Sequence, residues 1–254
     1  MRALLPLVLA IAVASCGGDQ AKPAAQASSA APASASARSG SDELGRDLAV
    51  AASGREGGQA ATAAAAKPRS GFLGDSLTAG LGLATDKSYP SLIGKRLKDR
   101  GLDYEVVNAG VSGDTSAGGL RRMDWSLDGD VRVLVVALGG NDGLRGLSIE
   151  DMKKNIAAIL DRAKLRGIPV ILAGMEAPPN FGDEYTKAFR AVYADLAKEY
   201  AATFIPFLLQ GVAGDASLNQ ADGIHPNVRG AELVADIVWP ELEPVLRRPK
   251  DQHP

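Results

Sequence analysis

Four short apolar runs constrain the fold of this chain more than any other feature. They are Val106-Val107-Asn108, Val131–Leu138, Ile168–Ala173 and Thr203–Phe207, and they are rich in β-branched residues. Continuous apolar runs of this length suit parallel strands buried on both faces. Segments of helical period lie between them. Met152, Ile156, Ile159 and Ala163 recur at helical spacing; Ser148 can cap that helix, Asp151 stands three residues on, and Gly167 can end it. A second helix is predicted over Asp183–Tyr200, with Tyr185, Phe189, Val192 and Leu196 on one face. Others cover Tyr89–Arg100 and Val228–Leu246. A first strand is marked only by Gly71-Phe72-Leu73. Strand and helix alternating from Ser70 to Arg248 specify a doubly wound α/β sheet. In such sheets ligands sit at the carboxyl ends of the strands.

Residues before this domain cannot contribute to its core. From Gly17 to Arg69 the chain is dominated by Ala, Ser, Gly and Pro, has no aromatic residue, and carries only Leu44, Leu48 and Val50 as large aliphatics. Such a segment cannot bury enough apolar surface to offset its ordering entropy. It reads as a tether with a random-coil reach of roughly 40 Å. Ahead of it, Met1-Arg2, an apolar run from Ala3 to Ala14 and then Ser15-Cys16 make a secretory signal, shorter than the ~20 apolar residues a membrane span needs. The exit Val13-Ala14-Ser15-Cys16 resembles the lipobox of bacterial lipoproteins, in which the cysteine is acylated. Cys16 is the only cysteine, so it has no intramolecular disulfide partner. Cleavage near Ala14 with full release is the alternative. The absence of aspartate after Cys16 favours, by the same resemblance, outer-membrane sorting with the protein facing the periplasm. The expected division is therefore signal 1–15, acylated Cys16 and tether to 69, catalytic domain 70–248 and a loose tail 249–254. A formal net charge of −2 gives no electrostatic pull toward nucleic acid.

Four motifs carry the chemistry. Gly74-Asp75-Ser76-Leu77 follows the first strand and opens a helix, placing the Ser76 hydroxyl at a helix N-terminus. Alone, Ser76 reads equally well as a helix cap. A serine is a weak nucleophile without a base in hydrogen-bond reach. The chain has two histidines, and His253 lies in the tail, so a histidine-based mechanism must use His225. Asp222 stands three residues earlier, where its carboxylate can reach back to the imidazole and hold its tautomer. One Asp and one His fall short of a zinc ligand set, and no metal or organic cofactor is called for. Gly113, in Asn108-Ala109-Gly110-Val111-Ser112-Gly113-Asp114, can offer a backbone N–H at close approach. Asn141, in Gly139-Gly140-Asn141-Asp142, can aim a side-chain amide at the same point, although turn chemistry alone would explain that segment. The Ser76 N–H is the third oxyanion donor. Asp75, Asp114 and Asp142 are assigned to bonding of loop backbone.

Together these motifs resemble the SGNH (GDSL) hydrolase superfamily, whose letters correspond to Ser76, Gly113, Asn141 and His225. Gly139–Gly146 and Asp222–Asn227 look most like its bacterial thioesterase I, arylesterase and lysophospholipase branch. The resemblance runs from Phe72 to Leu246. It implies a flavodoxin-like three-layer sandwich with a five-stranded parallel sheet and a broad acyl-ester range. It also implies an acyl groove lined by the loops near Gly143–Leu147 and Ala177–Gly182. The short first strand and the long tether depart from soluble members. The expected protein is a lipid-anchored monomeric esterase of lysophospholipids, aryl esters or acyl thioesters, working through a Ser76–His225–Asp222 triad. An O-acetylesterase of envelope carbohydrate is the enzymatic alternative; an inactive binding scaffold is the other.

Overall fold

The computed structural model describes residues 67–248. The signal, Cys16, the tether ahead of Lys67 and the tail with His253 lie outside the described residues. Five strands form one all-parallel sheet in the order β2-β1-β3-β4-β5. They are β1 (Arg69–Gly74), β2 (Glu105–Gly110), β3 (Val131–Ala137), β4 (Val170–Ala173) and β5 (Thr203–Ile205). β1 is twice the length that Gly71-Phe72-Leu73 suggested, because pairing with β2 and β3 extends it back to Arg69. Everything after Arg69 in this strand is buried. The β3 run from Val133 to Leu138 is equally dry, as expected for a central strand covered on both faces.

Among the described residues, seven α-helices connect and cover the sheet: α1 (Ser76–Ala79), α2 (Tyr89–Asp99), α3 (Ser116–Ser126), α4 (Gly140–Leu144), α5 (Ile149–Leu165), α6 (Asp183–Glu199) and α7 (Val228–Leu246). α2 packs on α7, and α5 packs on both α3 and α6, which places a helical layer on each side of the sheet. Side chains satisfy many helix N-termini. Ser148 accepts from the Asp151 N–H at 3.1 Å, and Asn227 accepts from the Gly230 N–H at 3.1 Å. α3 was not foreseen from the sequence; Thr115 caps it by accepting from the Gly118 N–H.

Strand order 2-1-3-4-5 is the flavodoxin-like arrangement, in which the chain reverses direction across the sheet between β1 and β3. The loops leaving those two strands diverge and leave a crevice at their carboxyl ends. Ser76 follows β1 and Asn141 follows β3, so the topology places both beside that crevice.

Candidate active site

Ser76 is the first residue of α1, not its cap. The cap is Asp75, whose Oδ1 accepts from the Leu77 N–H at 3.0 Å. This leaves the Ser76 hydroxyl free to turn outward, where it lies 2.9 Å from His225 Nε2. His225 Nδ1 lies 2.7 Å from Asp222 Oδ2. The other oxygen of Asp222 accepts from the backbone N–H groups of Ile224 and His225, each at 3.0 Å. The bonds from the His225 backbone and ring and from Ile224 hold the Asp222 carboxyl down at about 2. An ionised Asp222 accepts, so the network assigns the proton to Nδ1 and leaves Nε2 as the acceptor for the serine hydroxyl.

His225 stands on a loop that is itself tied down. Its carbonyl accepts from the Gln220 N–H at 2.7 Å, and the next turn is fixed by Asn227, which donates to the Ser217 carbonyl and caps α7. The imidazole is mostly sheltered, whereas Asp222 faces solvent.

Asn141 sits in the first turn of α4. Its Nδ2 donates to the Asp114 carbonyl at 2.9 Å and to Asp75 Oδ2 at 3.3 Å. Gly113 immediately precedes Asp114 and has φ +81°, a left-handed conformation that side-chain-bearing residues rarely adopt. Arg145 Nη2 donates to its carbonyl at 2.8 Å. Among the described residues, neither the Gly113 N–H nor the Ser76 N–H donates a hydrogen bond. Of the neighbouring carboxylates, Asp142 accepts from the backbone and hydroxyl of Ser116, as a loop-binding role implies. Asp114 departs from that expectation: its carboxylate pairs with the Arg122 side chain at 2.5 Å, not with loop backbone. Asp75 is buried, and desolvation pushes its carboxyl up to about 6 despite the opposing pull of the Leu77 N–H and His225.

A cavity of about 480 Å³ opens beside Ser76, Asn141 and His225. That volume is within the usual range for small-molecule sites. Its apolar wall includes Leu144, Met175, Ala177, Pro179, Phe207 and Leu209. On the other side of Ser76 and His225 a crevice of only about 10 Å³ reaches Leu83 and Tyr89, too small for anything beyond a water. The expected groove loops contribute only in part. Leu144 and Ala177–Pro179 line the cavity, but Leu147 and Phe181 do not. The Leu147 carbonyl instead accepts from Tyr185 Oη at 3.0 Å, and Phe181 packs on the Tyr185 ring. Met175, Phe207 and Leu209 were missed, although they follow β4 and β5 at their carboxyl ends, which was the available signal. Among the described residues no three His, Cys, Asp or Glu side chains converge as a metal site.

Residues 72–233 match the GDSL-like lipase/acylhydrolase family, which is most of the described chain. The protein belongs to this family. As a GDSL-like acylhydrolase it is an enzyme, a hydrolase of carboxylic esters. It is 45% identical over 175 residues to the esterase TesA of Pseudomonas aeruginosa, covering 68% of this chain and 87% of that protein. It is 36% identical over 176 residues to thioesterase 1/protease 1/lysophospholipase L1 of Escherichia coli, covering 69% and 83% respectively. The crystal structure of AlinE4, an SGNH-hydrolase family esterase, superposes with a TM-score of 0.59 at 39% identity, covering 72% of this chain and 97% of that one. The GDSL-like fold anticipated from the motifs, an α/β sandwich around five parallel strands, is the one observed.

Proposed function

We propose that this acylhydrolase is a serine esterase of the bacterial envelope that cleaves medium- or long-chain acyl esters or thioesters, lysophospholipids among them. The observation that carries the reading is the continuous chain from Ser76 Oγ through His225 to Asp222, at 2.9 and 2.7 Å, opening on an apolar cavity. His225 Nε2 takes the Ser76 proton as Oγ attacks the acyl carbonyl, forming the tetrahedral oxyanion. The imidazolium is stabilised by Asp222. The Ser76 and Gly113 N–H groups, which find no acceptor among the described residues, and the Asn141 amide surround the oxyanion. Asn141 would release its longer bond, to Asp75, to do so. Collapse of the intermediate breaks the C–O or C–S bond, and His225 returns its proton to the departing alcohol or thiol. A water molecule, deprotonated by His225, then attacks the acyl-serine; the second intermediate expels Ser76 Oγ, which takes that proton back from His225, and the carboxylic acid leaves.

Envelope attachment through acylated Cys16 is part of the same proposal and rests on Val13-Ala14-Ser15-Cys16. The substrate class rests on the cavity wall and on the kinship with proteins named esterase and lysophospholipase. Each buried methylene is worth ~0.8 kcal/mol, so kcat/KM should climb with acyl length until the groove is filled. The test is kcat/KM for acetate, butyrate, octanoate and palmitate nitrophenyl esters. A maximum at octanoate or palmitate is expected. A steady fall from acetate onward would overturn the long-chain reading in favour of an O-acetylesterase.

A further inference from the structure

Arg122 lies outside all four motifs, on the buried side of α3, yet its guanidinium reaches three acceptors on two of the segments that form the site. Nη2 donates to the Gly74 carbonyl at 2.7 Å, two residues before Ser76. Nη1 donates to the Ala109 carbonyl at the end of β2, where the chain enters the Gly113 loop. Nε donates to Asp114 Oδ2 at 2.5 Å, and the Asp114 carbonyl in turn accepts from Asn141 Nδ2. Both members of the ion pair are largely sheltered, with side-chain exposures of 19% and 17%.

We propose that Arg122 is a positioning residue for ester hydrolysis. Through Asp114 and two strand-end carbonyls it fixes Ser76, the Gly113 N–H and Asn141 relative to one another. The inference rests on the oxyanion assignment made above and adds the residue that holds the donors in register. Only a planar fork with separate Nε and Nη donors can serve three acceptors in different directions; an ammonium on a flexible stem cannot keep them all. Preorganised donors contribute only when they already point at the developing charge, and a misplacement of about 1 Å can cost on the order of 100-fold in rate.

Arg162 provides the comparison. Its Nη1 donates to the Leu120 carbonyl of the same helix at 3.1 Å, but that carbonyl leads to no segment of the site. The experiment measures kcat and KM on nitrophenyl butyrate for Arg122→Lys, Arg122→Gln, Arg162→Gln, Asn141→Ala and the double variant Arg122→Lys/Asn141→Ala. Concentrations are corrected for folded protein. The expected result is a kcat loss of about 10- to 100-fold in both Arg122 variants, smaller for lysine, with KM nearly unchanged. Arg162→Gln should keep parental kcat. The double variant should lose less than the product of its single effects, since part of the Arg122 effect runs through Asn141. Should Arg122→Gln fail to fold, the charge-retaining Arg122→Lys decides. Parental kcat in Arg122→Lys, or strictly multiplicative losses in the double variant, would overturn the role given to Arg122. Parental kcat in Asn141→Ala would instead overturn the oxyanion assignment itself.

Discussion

Burial pushes the carboxyl of Asp75, the residue before Ser76, up to about 6. A carboxyl raised above its ordinary 3.8 keeps a proton in the folded state that the unfolded chain has already released. Its contribution to stability is therefore complete below pH ~4 and is lost as pH rises through ~6. Asp75→Asn keeps the capping oxygen for Leu77 but removes the buried ionisation. Between pH 4.5 and pH 8 the variant should gain about 2 kcal/mol relative to the parent, read by urea unfolding at both values. An identical difference at the two pH values would contradict the assignment. Residues of the proposed reacting chain were legible because their chemistry is restrictive: with two histidines present, one in the tail, any histidine base had to be His225. Arg122 was not legible. It follows another arginine, Arg121, and only packing distinguishes the exposed Arg121 from the sheltered Arg122 with its three acceptors.

The elements that the apolar pattern marked are the ones with a clear buried stripe. α5, α6 and α7 fall within a residue or two of their expected limits, α7 despite Pro240 and Pro244. α3 was illegible because Gly118 and Gly119 have low helix propensity and interrupt any stripe. The structure supplies the reason for Gly119: a Cβ there would come within 2.2 Å of Leu138 Cδ1, so its absence lets the helix lie directly against the end of β3. α6 supports the Asn141 segment from the other side with an aromatic row, Tyr185, Phe189 and Tyr193, one helical turn apart. Tyr193 Oη donates to the Leu138 carbonyl at 2.9 Å, just ahead of Gly139. Phe189 is fully buried, whereas Phe181 at the row's end is 39% exposed. Phe189→Ala should therefore cost ~3–5 kcal/mol and lower Tm by roughly 10 °C. Phe181→Ala should cost far less. Equal Tm losses in differential scanning calorimetry would show that the row does not bear on the core as described.

At the scale of the whole molecule, one topological fact gathers motifs separated by most of the domain. The sheet reverses its winding between β1 and β3, and Ser76 and Asn141 leave those strands into the same crevice. His225 arrives from the loop before α7. Strand alternation foretold that convergence at the carboxyl ends; it did not foretell which side chains would wall the cavity, since loop paths depend on contacts such as Tyr185 with Leu147. Among the described residues no helix is long and apolar enough to cross a membrane. The proposed attachment rests on Cys16, so Cys16→Ser should move the protein from the membrane fraction to the soluble one; unchanged palmitate labelling in the variant would exclude acylation there. The converging motifs are proposed to form a serine nucleophile with its base. The most direct test is kcat of folded Ser76→Ala on nitrophenyl butyrate. A fall of at least about 10⁴-fold is expected, with the thermal transition retained. Turnover within tenfold of the parent would contradict it.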